Sequence, residues 1–138
     1  MEIKIVKLYE GARIPERAHP TDAAYDLYAA KNEVVKPYCQ AKVPTGIAMQ
    51  IPQGWYGDIR PRSSMFSKGY DVSGVIDSGY RGEIMVILQN NSEKPCYIAK
   101  GERIAQMILL QHGSVDFIEV DALDGSDRGT GGFGSTGK

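Results

Sequence analysis

Turn-forming residues recur roughly every eight to twelve positions along this chain, leaving room only for short elements between them. They are Gly11, Pro20, Pro37, Pro44-Thr45-Gly46, Pro52-Gln53-Gly54, Ser78-Gly79, Asn90-Asn91 and Gly101. The intervening runs are rich in β-branched and aromatic residues: Ile3–Leu8, Ile47–Ile51, Trp55–Ile59, Ile84–Leu88, Ile104–Leu110 and Phe117–Val120. This rhythm predicts an all-β chain, a sandwich or barrel. No window keeps a helical apolar period over ten residues, and only Ser63–Lys68 has the makings of one short helix.

At 138 residues, with no repeat and no internal linker, the chain reads as one domain. Within Glu83–Leu88, Ile84, Val86 and Leu88 fall on one face while Met85 and Ile87 fall on the other. A sandwich strand needs only one apolar face. The surplus points to an interface between subunits, although a loop covering that face would explain it too. Sixteen Lys+Arg against seventeen Asp+Glu give a formal charge of -1. That excludes the broad positive field of a protein that grips long nucleic acid, but leaves a small anionic ligand open.

Cys39 and Cys96 lie far apart with no metal-binding or redox spacing, and read as buried or half-buried free thiols. The opening MEIKIVKLYEG alternates charged and apolar residues without a signal-peptide core, and no apolar run is long enough to span a bilayer. A cytoplasmic protein without a membrane partner is expected.

From Arg128 to Lys138 the chain changes character: five of the sixteen glycines lie there, with no acid. The plain reading is a disordered tail. Phe133 fits it poorly, and a tail that orders over a ligand is the sharper alternative. Gly132-Phe-Gly-Ser-Thr-Gly-Lys138 copies the first seven positions of a P-loop, but the chain ends where that motif's helix and magnesium-binding hydroxyl belong. The closely spaced N–H groups, the Ser135 and Thr136 hydroxyls and Arg128 can still cradle phosphate.

With only His19 and His112 present, a multi-histidine zinc site is unavailable and a Ser-His-Asp triad has no local support. Both histidines are expected at the surface. Activated water is then better supported than covalent catalysis, and attention passes to carboxylates among glycines. Gly74-Val-Ile-Asp-Ser-Gly-Tyr-Arg-Gly82 reads as a wide β-hairpin. A hairpin that opens before it closes leaves backbone groups that can bind a base edge as another strand would, with Asp77 and Tyr80 beside the opening. Taken alone, the motif is more often a plain hairpin. In Pro61-Arg-Ser-Ser-Met-Phe-Ser-Lys68, Arg62 and the hydroxyls at a helix start could grip phosphate, or Ser63 or Ser64 could simply be an N-cap.

Together these residues resemble the homotrimeric dUTPases. Five motifs of that family occur in order: Asp22-Ala-Ala-Tyr-Asp-Leu27, Pro61-Arg-Ser-Ser64, Gly74 to Gly82, Gly101-Glu-Arg-Ile-Ala-Gln106 and Arg128-Gly-Thr-Gly-Gly-Phe-Gly-Ser-Thr136. The resemblance implies a jelly-roll β-barrel over residues 1–127 and a mobile flap over 128–138. It implies a homotrimer whose sites each draw on more than one chain, with no nucleic-acid partner. The implied activity is hydrolysis of dUTP to dUMP and pyrophosphate with Mg2+, limiting uracil incorporation into DNA and supplying dUMP for dTMP synthesis.

The resemblance also assigns roles. Asp77 would orient and deprotonate the water attacking the α-phosphorus. Tyr80 would pack under the deoxyribose and exclude a 2′-hydroxyl. The backbone of Gly74, Val75 and Ile76, with Met85, would read uracil. Arg62, Ser63, Ser64 and Gln106 would hold the phosphates, and Asp26 would support the water shell of the metal. Arg128, Phe133, Gly134, Ser135 and Thr136 would close over the nucleotide, with Phe133 stacked on uracil. Gly79 stands where the family usually carries an acid, and the Arg62-to-Asp77 connection is short for the family. Two other functions are compatible with the shared fold: a dCTP deaminase or bifunctional relative, and a nucleotide-sensing module without turnover.

Overall fold

The computed structural model describes residues 1–134 and 137, and over these the chain forms ten strands and one short helix. In chain order they are β1 (Lys4–Lys7), β2 (Tyr25–Tyr28), β3 (Glu33–Val35), β4 (Gln40–Pro44), β5 (Ile47–Gln50), β6 (Trp55–Arg60), α1 (Ser63–Phe66), β7 (Tyr70–Ile76), β8 (Met85–Asn90), β9 (Cys96–Ile98) and β10 (Arg103–Gln111). Six strands form the main sheet in the order β2-β10-β6-β7-β8-β4, and the ribbons β1-β5 and β3-β9 complete the body. All these pairings are antiparallel. This is the all-β architecture that the turn spacing predicts, in the jelly-roll-like form that the family resemblance implies.

One core joins the sheet and both ribbons. Leu27, Ile47, Ile51, Ile59, Ile84, Leu88 and Ile104 are essentially inaccessible to solvent. Burying aliphatic side chains of this size stabilises the fold by about 1.5–3 kcal/mol each. The buried amide of Asn90 has its hydrogen-bonding capacity met. It donates to the Val35 carbonyl at 3.0 Å and the Lys94 carbonyl at 2.8 Å, and accepts from the Ser92 amide and hydroxyl.

β10 is the backbone of the candidate site. Its pairing with β2 shifts register between Arg103 and Ala105, so that Arg103 faces Tyr28 while Ala105 faces Leu27. Such a bulge inserts one residue and re-aims the side chains beyond it. Here it allows the consecutive Ile104 and Ala105 both to be buried, and it sets Gln106 between Asp26 of β2 and Arg60 of β6.

Three expectations need correction, and one alternative, a loop over the second face of β8, falls away. Phe117–Val120 is not a strand: past β10 the described residues form no further element, and a lone extended run has no partner for its backbone within one chain. The helix covers only Ser63–Phe66, and its N-cap is Arg62 without a side-chain hydrogen bond, so neither serine caps it. A helix this short also has little dipole to offer a phosphate. Cys39 is exposed rather than half-buried, whereas Cys96 is buried. The second face of β8 is not covered by a loop; Ile87 is 37% exposed. His19 and His112 lie at the surface as expected.

Candidate active site

The register of β7 creates an opening inside the main sheet. Toward β6, β7 stays paired to its end, with Gly74 opposite Ile59, Val75 opposite Asp58 and Ile76 opposite Gly57. Toward β8 it is paired only from Tyr70 to Ser73. The start of β8 has gone to the other side, where Met85 faces Pro44 and Val86 faces Val43. Ile84 fixes that departure: its amide donates to the Ile47 carbonyl, and its own carbonyl accepts the Thr45 hydroxyl at 2.6 Å. The edge of Gly74–Ile76 turned toward β8 therefore has no strand partner among the described residues. An unpaired edge of this kind is a ready hydrogen-bonding template for a planar ligand.

The loop closing the hairpin sets two side chains at this opening. Asp77 is exposed, and the Tyr80 amide donates back to its carbonyl at 3.1 Å, which tightens the turn. The Tyr80 ring folds over Gly82, where an added Cβ would meet the phenol oxygen at 2.6 Å and displace the ring. Its hydroxyl donates to the Glu83 carbonyl at 2.7 Å. Val75, Ile76, Met85 and Ile87 line the resulting cleft of about 260 Å³ together with Asp77 and Tyr80. Nothing lies within 4 Å of a Cβ built on Gly79, so the departure there leaves the hairpin path unobstructed.

A second, larger cavity of about 990 Å³ gathers Asp26, Arg62, Ser63 and Gln106. The Asp26 carboxylate is shared between two guanidinium groups, Arg62 Nε at 3.3 Å and Arg103 Nη1 at 3.6 Å. Gln106 donates from Nε2 to the Pro61 carbonyl at 3.0 Å, which pins the strand exit that carries Arg62. Ser64 accepts a long hydrogen bond from Arg62 at 3.4 Å. The cavity wall carries Arg60, Arg62 and Arg103 against Asp22, Asp26, Asp58 and Asp71, one negative charge in excess. Arg60 is already paired with Asp58 at 2.7 Å.

The structure thus divides the expected residues into three groups. Val75, Ile76, Asp77, Tyr80 and Met85 line one cavity, with Gly74 just before them on β7; Asp26, Arg62, Ser63 and Gln106 line the other, with Ser64 hydrogen-bonded to Arg62. The two cavities share no lining residue. Arg128, Phe133 and Gly134 line neither cavity. Phe133 is fully exposed in a left-handed backbone conformation, and the Arg128 guanidinium donates to the nearby Gly131 carbonyl at 2.6 Å. Ser135 and Thr136 lie outside the described residues.

Among the described residues no three His, Cys, Asp or Glu side chains cluster as metal ligands. The donor set fits magnesium only as an ion that keeps its waters and is carried on phosphate oxygens. Three contributors were not anticipated. Arg103 lies inside the fourth of the five family motifs but reveals its part only through Asp26. Lys42 and Glu83 line the hairpin cleft with no signal in their local sequence. The Glu83 carboxylate accepts from the Tyr9 hydroxyl and, at 2.9 Å, from the Gly46 amide. The hydrogen bond to Glu83 raises the Tyr9 pKa, and loss of solvent and the negative carboxylate add to the shift.

Comparison with known proteins returns one consistent group. The dUTPase family model matches residues 10–137. A deoxyuridine 5'-triphosphate nucleotidohydrolase of Clostridium tetani is 42% identical over 140 residues, covering 99% of this chain and 97% of the relative. Among solved structures, a mutant dUTPase of Staphylococcus bacteriophage 80alpha with dUpNHpp superposes with a TM-score of 0.94, at 30% identity and 99% coverage of both chains. A mutant dUTPase of phage phi11 of S. aureus, described with a structural Mg(II) ion, gives 0.84 at 26% identity, covering 91% of this chain and 100% of the other.

Proposed function

This chain belongs to the dUTPase family, and from that premise we propose that it hydrolyses dUTP to dUMP and pyrophosphate at a site completed between copies of itself. One observation carries the reading: an unpaired strand edge at Gly74–Ile76 with a free carboxylate, Asp77, and an aromatic ring, Tyr80, at its mouth.

The edge and Met85 receive uracil, whose alternating carbonyl and N–H groups match a strand. Tyr80 lies under the deoxyribose and leaves no room for a 2′-hydroxyl. Asp77 orients a water and takes its proton as the water oxygen bonds to the α-phosphorus. The bond from that phosphorus to the bridging oxygen breaks, and pyrophosphate leaves. Arg62, Ser63, Ser64 and Gln106 hold the phosphate chain. The flap residues Arg128, Phe133, Gly134, Ser135 and Thr136 close over the nucleotide and exclude bulk water, with Phe133 on the base.

Mg2+ fits as a substrate-borne cofactor because the cavity wall has no positive charge in excess for a polyphosphate. When bound, it offsets phosphate charge and favours the leaving group. Asp26, proposed to support its water shell, also keeps Arg62 and Arg103 in place.

A homotrimer accounts for the split site: the hairpin cleft of one chain meets the arginine cavity of another. Two further features support it. Met85 and Ile87 are left accessible on β8, and Val115, Phe117, Ile118, Val120 and Leu123 are 57–95% exposed along the partnerless run past β10. No helix among the described residues is long and apolar enough to cross a membrane, and both cysteines are free. A cytoplasmic role that limits dUTP and supplies dUMP is in keeping with these features.

Product analysis across the eight common nucleoside triphosphates with magnesium tests the proposal. The expected result is dUMP and pyrophosphate from dUTP alone. Ammonia from dCTP, or binding without turnover, would overturn it.

A further inference from the structure

We propose that Glu83 is a positioning residue for sugar selection, acting through Tyr80 and itself held by Tyr9 and Gly46. The inference rests on the reading that Tyr80 lies under the deoxyribose, and adds what keeps the ring there.

Tyr80 belongs to an exposed loop and is itself 44% exposed, so packing alone does not fix its ring. Its hydroxyl is held by the main-chain carbonyl of Glu83 at 2.7 Å. That carbonyl can serve as an anchor only if the Glu83 peptide is itself fixed. The Glu83 side chain fixes it: one carboxylate oxygen accepts the Tyr9 hydroxyl and the other accepts the Gly46 amide at 2.9 Å. Ile84, the next residue, is locked by hydrogen bonds with Thr45 and Ile47.

The receiving turn is rigid. Gly46 has φ of +72°, and a Cβ there would come within 2.8 Å of Ala12 and 2.9 Å of the Tyr9 ring, so the position is closed to other residues. Hydrogen bonds to an ionised acceptor are roughly twice as strong as neutral ones. The sugar platform is thus tied to the barrel through a carboxylate whose two oxygens are both taken by Tyr9 and Gly46. An aspartate at position 83 would be one methylene too short to span both donors, and a glutamine would place an NH2 group against one of them.

The test compares the ratio of kcat/KM for dUTP to that for UTP in wild type, Glu83→Gln, Tyr9→Phe, Tyr80→Phe and the double variant Glu83→Gln/Tyr80→Phe. Glu83→Gln should lower the ratio about tenfold, the scale of one charge-assisted hydrogen bond. Tyr9→Phe should lower it in the same direction by less. The double variant should be no worse than the poorer single variant, because both break one chain of contacts. A ratio unchanged in both Glu83→Gln and Tyr9→Phe, or additive losses in the double variant, would overturn the role of Glu83. Should Glu83→Gln fail to fold, Tyr9→Phe with Tyr80→Phe repeats the cycle. Tyr80→Ala distinguishes the underlying reading: if it leaves the ratio intact, Tyr80 is not the sugar platform; if it abolishes selection while Glu83→Gln and Tyr9→Phe do not alter it, only this inference fails.

Discussion

Two residues with similar chemistry have opposite fates in the hairpin, and environment accounts for both. Asp77 is exposed and uncommitted, as a base awaiting a water must be; Glu83, six positions on, has both oxygens occupied. Asp77→Asn should therefore bind nucleotide but turn it over roughly two to four orders of magnitude more slowly, the usual loss for a general base. Steady-state kinetics beside analogue titration checks this, and near-normal turnover would remove Asp77 from its role. Tyr9 supplies a pH signature. Its folded-state pKa is raised by the hydrogen bond to Glu83, by lost solvent and by the carboxylate charge. The unfolded chain releases this proton near about pH 10, whereas the folded chain retains it further. The contribution is complete below that pH and is lost as pH climbs through the folded value. Urea midpoints of wild type and Tyr9→Phe should accordingly converge in alkali; a constant gap would refute the coupling. Asp77 was legible from its place between Ile76 and Gly79 in a turn. Glu83 was not, because its partner Tyr9 lies 74 positions away and nothing local marks either.

Elements were most legible where an apolar or aromatic run is bounded by turn formers on both sides. Ile47–Ile51 and Trp55–Ile59 were expected and appear as Ile47–Gln50 and Trp55–Arg60. Phe117–Val120 misled because a strand is a relation between two chains of peptide groups, and composition supplies only one of them. The bulge in β10 was equally invisible, since nothing in Ile104-Ala105-Gln106 marks an extra residue until its pairing with β2 is known. The flap is the element whose removal separates function from folding. Its described residues hydrogen-bond only locally, as in Gly131 to Arg128 and Gly129 to the adjoining Ser126, and not to any strand. Deleting Gly129–Lys138 should shift the melting temperature by within roughly 2 °C while turnover falls sharply. Calorimetry and a pyrophosphate assay on the same preparation decide it; a large drop in melting temperature would make the tail structural.

At the scale of the whole molecule, the separation of Asp77 from Arg62 on two distinct cavities gives a direct test of shared sites. Chains bearing Asp77→Asn and chains bearing Arg62→Ala should each be nearly inactive, yet refolding them together should restore roughly a quarter of the sites by random assortment. No recovery in demonstrably mixed oligomers would mean each chain is self-sufficient. The charge of the arginine cavity has a consequence of its own. A trough of unopposed cations would silt up with every abundant polyanion in a cell. This wall, with one aspartate more than its arginines, has no net pull on a bare polyanion, so on the proposed reading a triphosphate would enter best with a divalent ion already offsetting its charge.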